Sequence, residues 1–99
     1  MIKKKGFGDF SSKKVEDLET VKNLMQIGKI KKAEEILLSL KERKKLDHVG
    51  LHLLATIYKF KSEYSLALNL LLQSIKLEPL YVEAYSDIGA IYIENNNFS

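Results

Sequence analysis

Apolar residues recur three and four positions apart over most of the chain, beginning near residue 15. Leu51, Leu54 and Tyr58 follow this spacing, which puts them on one face of a helix, and the apolar–polar alternation of a half-buried strand is absent. The pattern predicts five helices, near residues 15–27, 30–44, 48–60, 63–77 and 82–94. The breaks are short, and short connections fold consecutive helices back as antiparallel hairpins. The chain is therefore predicted to be all-α and built from helix pairs.

The helix pairs repeat at a constant spacing along the chain. The first helices of two successive pairs carry similar apolar or small residues in the same order, Leu51, Leu54, Ala55 and Tyr58 in one and Tyr85, Ile88, Gly89 and Tyr92 in the next. The turn residues Gly28 and Ser62 are 34 residues apart, the same distance that separates Leu51 from Tyr85. Pro79, the only proline of the chain, comes just after a predicted helix, where proline is tolerated although it cannot continue a helix.

These residues resemble the tetratricopeptide repeat, a helical hairpin of about 34 residues with the pattern W-x2-L-G-x2-Y, then A-x3-F, then P. Ala67, Leu71 and Pro79 stand at the positions of its second half. The resemblance implies an α-solenoid of antiparallel helix pairs, with about two and a half repeats over residues 15–99 and the last repeat truncated. Residues 1–14 lie outside it.

The resemblance also predicts which residues are buried. Ala55 and Gly89 occupy the small-residue position, so both are expected at close helix contacts where a larger side chain would not fit. The tyrosines at the aromatic positions of the repeat are expected in the core, namely Tyr58, Tyr64, Tyr85 and Tyr92.

The sequence stops at Ser99, before the helix that would complete the third repeat. Four apolar residues near this end are expected to be partly uncovered, Ile88, Ile91, Tyr92 and Phe98. A small domain rarely exposes a large apolar patch. The half repeat therefore predicts either a fragment of a longer array or a homodimer that pairs through this end.

In such arrays the first helices of successive repeats line a concave surface that holds a peptide or a partner protein. The resemblance thus implies a noncatalytic protein–protein interaction module. Its partner-binding groove would be formed by ten residues, Val49, His52, Leu53, Thr56, Lys59, Phe60, Glu83, Ser86, Asp87 and Ala90. Phe60 is expected to be exposed in the groove as an apolar anchor.

The composition excludes several classes of function. The 99 residues contain no cysteine, which excludes disulfides, thiolate metal sites and cysteine nucleophiles. No apolar run is long enough to cross a membrane and the N-terminus has no signal peptide, so a cytoplasmic protein without a membrane partner is predicted. No set of Ser, His and Asp residues indicates a catalytic site, and no cofactor is predicted.

Charge is distributed unevenly, and its pattern leaves two alternatives open. Residues 1–14 carry a net charge of +4 and few apolar side chains, and they are predicted to be a flexible basic arm. Together with the basic run at 41–45, the arm leaves an accessory nucleic-acid binder as a less favoured alternative. The other alternative, which is more favoured and is implied by the resemblance, is the N-terminal array of a larger enzyme such as a glycosyl- or sulfotransferase.

Two histidines near the start of the third predicted helix form a candidate metal site. His48 and His52 are four residues apart, a spacing at which two imidazoles can share a metal ion, and Asp47 is adjacent. No third ligand is evident, and the start of a helix accounts for all three residues. No metal site is therefore predicted.

Overall fold

The computed structural model describes residues 18–96. Within that range the chain forms no β-strand and five helices, α1 (Leu18–Gln26), α2 (Ile30–Glu42), α3 (His48–Phe60), α4 (Tyr64–Leu77) and α5 (Val82–Asn96). The predicted all-α class and the five helices are confirmed. The predicted arm at 1–14, the predicted start of α1 at 15–17 and Phe98 lie outside the described residues.

The turns inside the first two helix pairs have the same geometry. Gly28 and Ser62, which occupy equivalent positions of the two pairs, both adopt a left-handed backbone conformation, with φ of 88° and 62°. In each turn the amide of the following residue donates to a carbonyl of the preceding helix. Lys29 donates to Leu24 at 2.8 Å, and Glu63 donates to Tyr58 at 2.9 Å. Such bonds satisfy carbonyls that a helix end leaves unpaired. The period of the sequence is thus present in the backbone of these turns.

The connections between successive pairs differ from each other. After α2, Lys44 takes a left-handed conformation with φ of 57°, and the amide of Lys45 donates to the carbonyl of Leu40 at 2.8 Å. This reversal ends α2 at Glu42, two residues earlier than predicted. After α4, Pro79 stops the helix because it has no N–H group to continue the hydrogen-bonded ladder.

Small residues allow the helices to approach closely. Ala33, Ala55 and Ala67 are at most 1% exposed, and the large side chains of Leu37 and Leu71 fill the space beside them. The predicted burial of Ala55 is confirmed. A larger side chain at these alanines would separate the helices, because protein interiors are packed about as densely as organic crystals.

Ser74 is a polar side chain that is fully buried in α4. Its hydroxyl donates to the backbone carbonyl of His48 at 2.8 Å, so the buried oxygen has a partner. The bond ties the last part of α4 to the first residue of α3. These two helices are consequently held at this end by a hydrogen bond as well as by apolar packing.

One side of α5 packs against α3 and α4. Ala84 and Ile91 lie on that side and are fully buried, although Ile91 was expected to be partly uncovered. Tyr85 and Tyr92 are 50% and 55% exposed, and a Cβ atom added at Gly89 would meet no atom within 4 Å. The predicted burial of Tyr85 and Gly89 is therefore wrong, because no element of residues 18–96 covers the other side of α5. For Tyr92 the repeat position predicted burial and the truncated half repeat predicted partial exposure, and the second expectation agrees with the structure.

Candidate functional site

The first helices of the second and third pairs, α3 and α5, contact each other. We call the surface formed by the ten predicted groove residues the α3/α5 face. Its members on α3 lie on one side of the helix, because successive residues are rotated by about 100°. Seven of the ten are half-buried, Val49, His52, Leu53, Thr56, Lys59, Asp87 and Ala90. The other three are exposed, Phe60, Glu83 and Ser86.

His52 is the centre of a hydrogen-bonded cluster on this face. Its Nε2 atom lies 2.6 Å from Oδ2 of Asp87, and its Nδ1 atom lies 3.0 Å from the hydroxyl of Tyr81. A neutral imidazole with its proton on Nε2 fits both contacts, since it donates to Asp87 and accepts from Tyr81. His52 therefore connects α3 to α5 and to the residue that precedes α5.

Lys59 completes the charged part of the cluster. Its Nζ atom lies 3.9 Å from Oδ1 of Asp87, so the carboxylate has His52 on one oxygen and the lysine on the other. The three side chains are 17–23% exposed. Opposite charges at this distance and partial burial attract each other more strongly than they would in bulk water. The structure thus brings His52, Lys59 and Asp87 together from two helices.

Tyr81 belongs to the cluster, but the sequence carried no signal for it. It lies in the connection after α4, so no helical spacing relates it to His52, which is 29 residues away. Its ring meets the rings of His48 and His52 edge-on, with centroid distances of 4.7 and 5.4 Å. Only the folding back of α5 along α3 puts this side chain at the site.

The environment of Tyr81 keeps its hydroxyl protonated. Burial raises the pKa of Tyr81 above the usual tyrosine value, and the negative charges of nearby carboxylates raise it further. Those carboxylates belong to Glu83, Asp47 and Asp87. At neutral pH the hydroxyl can therefore donate a hydrogen bond to Nδ1 of His52.

The apolar part of the face comes from α3. The Phe60 side chain is 72% exposed, although it is large and aromatic. Val49 and Leu53 are half-buried on the same side of the helix. The face therefore combines an exposed aromatic group, a residue type enriched in protein interfaces, with a charged cluster held between two helices.

The side chains of the candidate metal site at His48 and His52 have other partners. Both ring nitrogens of His52 are engaged by Asp87 and Tyr81. The Asp47 carboxylate accepts a hydrogen bond from the amide of Gly50 at 2.9 Å and so caps the start of α3. Among residues 18–96 no group of three or more His, Cys, Asp or Glu side chains is arranged to hold a metal ion.

None of the helices in the described part of the chain combines the length and the apolar character that a bilayer crossing requires.

Comparison of the chain with profiles of known protein families, with curated proteins and with solved structures gives no match. Its class therefore rests on the fold and on the α3/α5 face. The described residues define an all-helical protein whose first two hairpins share one turn geometry.

Proposed function

We propose that the chain is a noncatalytic protein–protein interaction module that binds a peptide or a segment of a partner protein on the α3/α5 face. The observation that carries this proposal is an exposed aromatic side chain beside a positioned group of charges. Phe60 supplies the apolar contact, and Lys59 and Asp87 supply charges held by their neighbours. A few well-placed aromatic and charged residues dominate the binding energy of most protein interfaces.

The proposal includes an α-solenoid arrangement of the tetratricopeptide type. The contact between α3 and α5 supports it, because these are the first helices of successive pairs. In such an array the first helices line one continuous surface.

The polar groups of the face tie its two helices together. Both nitrogens of His52 contact protein groups, Asp87 on one side and Tyr81 on the other. The cluster therefore holds α3 and α5 in a fixed relation, and Phe60 beside it is exposed to a partner.

The test uses the full chain and two matched variants. Phe60→Ala removes the exposed aromatic group of the face, whereas Leu72→Ala removes an apolar side chain that is 59% exposed on α4, away from the face. Proteins retained on the immobilised chain are identified by mass spectrometry, and the dissociation constant of each is measured for both variants. We expect Phe60→Ala to weaken binding about 30-fold, as at a typical interface hot spot, and Leu72→Ala to leave it unchanged.

Circular dichroism of each variant separates binding from folding. Equal weakening by both variants, or full retention by Phe60→Ala, would contradict the proposal. Loss of helicity in Phe60→Ala would show that Phe60 has a structural role and would also contradict it.

A further inference from the structure

A second groove runs between α2 and α4, and we call it the α2/α4 groove. Two adjoining cavities with volumes of about 430 and 280 Å³ form it, and Lys41 and Gln73 line both. On α4 it extends from Leu66 to Leu77, which at 1.5 Å per residue is about 16 Å. About three turns of a helix, or a shorter extended peptide, cover that length.

The floor of the groove is apolar and comes mainly from α3. Leu51 and Leu54 are 5% and 0% exposed, and Tyr58 is half-buried beside them. At about 100° per residue these three lie on the side of α3 opposite to His52 and Thr56. The groove is therefore a surface separate from the α3/α5 face.

The walls of the groove are apolar as well, and they are open to solvent. Leu38 on α2 is 40% exposed, and Leu66 and Leu77 on α4 are 51% and 59% exposed. Isolated exposed leucines need no explanation, but three that flank one apolar groove form a contiguous patch. Such a patch favours a ligand that inserts apolar side chains.

The rim of the larger cavity is positively charged. Lys41, Lys44 and Lys76 line it, and all three are exposed. None of them forms an ion pair with a carboxylate within residues 18–96. Glu42 lines neither of the two cavities, although it lines a third one together with Lys41 and Leu38. The rim therefore has three cationic groups available to an acidic ligand.

We propose that the α2/α4 groove binds an acidic peptide segment of a partner protein that presents apolar side chains along one side. The apolar side chains enter the two cavities, and the carboxylates face Lys41, Lys44 and Lys76. The chain's own residues 1–14 are an unsuitable occupant, because their net charge of +4 has the same sign as the rim. A nucleic-acid backbone matches the rim but has no apolar side chains to fill the cavities.

The test uses a displayed library of random peptides of about 12 residues, a length chosen to cover the groove. The full chain is compared with the double variant Lys41→Glu/Lys76→Glu. Its matched control, Lys31→Glu/Lys32→Glu, makes the same charge change at two exposed positions of α2 that do not line the groove. Lys41→Gln/Lys76→Gln serves as a milder variant if charge reversal disturbs the helices. One selected peptide is then synthesised, and its contacts are mapped by amide chemical shifts.

We expect the selected peptides to be net negative and to contain at least two large apolar residues. The synthesised peptide should lose about tenfold or more in affinity on the Lys41/Lys76 variant but less than about threefold on the control. Its amide shifts should centre on Lys41, Leu51 and Gln73.

Four results would overturn the proposal. The first is selection of peptides without an excess of acidic residues, and the second is shifts confined to the α3/α5 face. The third is that an oligothymidylate of similar length binds more tightly than the synthesised peptide and that its binding depends on Lys41 and Lys76. This result would identify a nucleic-acid surface. An equal loss of affinity in the two charge variants would show that net charge alone decides binding, and would overturn it as well.

Discussion

The Nε2 atom of His52 lies 2.6 Å from Oδ2 of Asp87 and joins α3 to α5 across 35 residues of sequence. The same carboxylate lies 3.9 Å from Nζ of Lys59, and the other nitrogen of His52 contacts the hydroxyl of Tyr81. Each side chain is oriented by at least one other. The middle of the α3/α5 face therefore depends on two contacts of Asp87 with α3, of which the contact with His52 is the shorter.

We predict that this contact stabilises the fold measurably. A double-mutant cycle with His52→Ala and Asp87→Ala should give a coupling energy of about 1–3 kcal/mol, because the hydrogen bond involves a carboxylate and is partly buried. Urea denaturation of the four proteins measures it. Lys61 and Glu34, whose side chains meet at 2.8 Å at the surface, provide the control pair. Their coupling should stay below about 1 kcal/mol. A His52–Asp87 coupling no larger than that of the control would show that the contact does not hold the helices.

Positions 55 and 89 should respond in opposite ways to the same substitution. Ala55→Leu overpacks a site that is 1% exposed and should lower the free energy of unfolding by about 1–3 kcal/mol. At Gly89 an added Cβ atom meets no neighbour and the position is exposed, so Gly89→Leu replaces a poor helix former and should raise that free energy by about 0.5–1 kcal/mol. Thermal melts of both variants test this prediction. A destabilised Gly89→Leu variant would indicate that something covers this side of α5 in solution.

The two equivalent turns allow a reciprocal exchange. Gly28→Ser puts a side chain where φ is 88° and should cost about 1–2 kcal/mol. Ser62→Gly relieves a serine that holds φ at 62° and should stabilise the protein by up to about 1 kcal/mol. Denaturant midpoints of the two variants report the difference. Shifts of the same sign in both variants would mean that the two turns are not energetically equivalent.

Stability should fall at alkaline pH because of Tyr81. Its pKa is raised in the folded protein, chiefly by burial, while in the unfolded chain it ionises near the usual value of about 10. A raised folded pKa contributes stability that is complete below about pH 10 and is lost as the pH rises through the folded value. The free energy of unfolding, measured by urea denaturation between about pH 8 and 11, should therefore drop above pH 10.

The matching variant separates this effect from general alkaline unfolding. Tyr81→Phe should flatten the drop, because phenylalanine does not ionise. Tyr92→Phe, at a tyrosine that is 55% exposed, should leave the drop as it is in the original chain. An identical pH profile for Tyr81→Phe and the unaltered protein would count against the role of Tyr81.

The helices and their turns could be predicted from the sequence because their causes are local. Apolar spacing places each helix, Pro79 cannot continue α4, and Gly28 suits a left-handed turn. The repeat period likewise put Ser62 in step with Gly28, and the two residues share one backbone conformation. Two helix ends differ from the prediction by two residues. α2 ends earlier, since the reversal at Lys44 has no distinctive residue to mark it, and α5 runs to Asn96 instead of residue 94.

The tertiary structure alone decided the burial of Tyr85 and Gly89, the place of Tyr81 on the α3/α5 face, and the α2/α4 groove. Tyr85 and Gly89 match buried positions of the repeat in type, yet they are exposed, because burial requires a covering element and residue type does not supply one. Tyr81 reaches His52, and Lys76 reaches the cavity lined by Lys41, only after distant segments of chain pack together. Helix formation depends on neighbours within a few residues, whereas these contacts depend on how the helices are packed against one another.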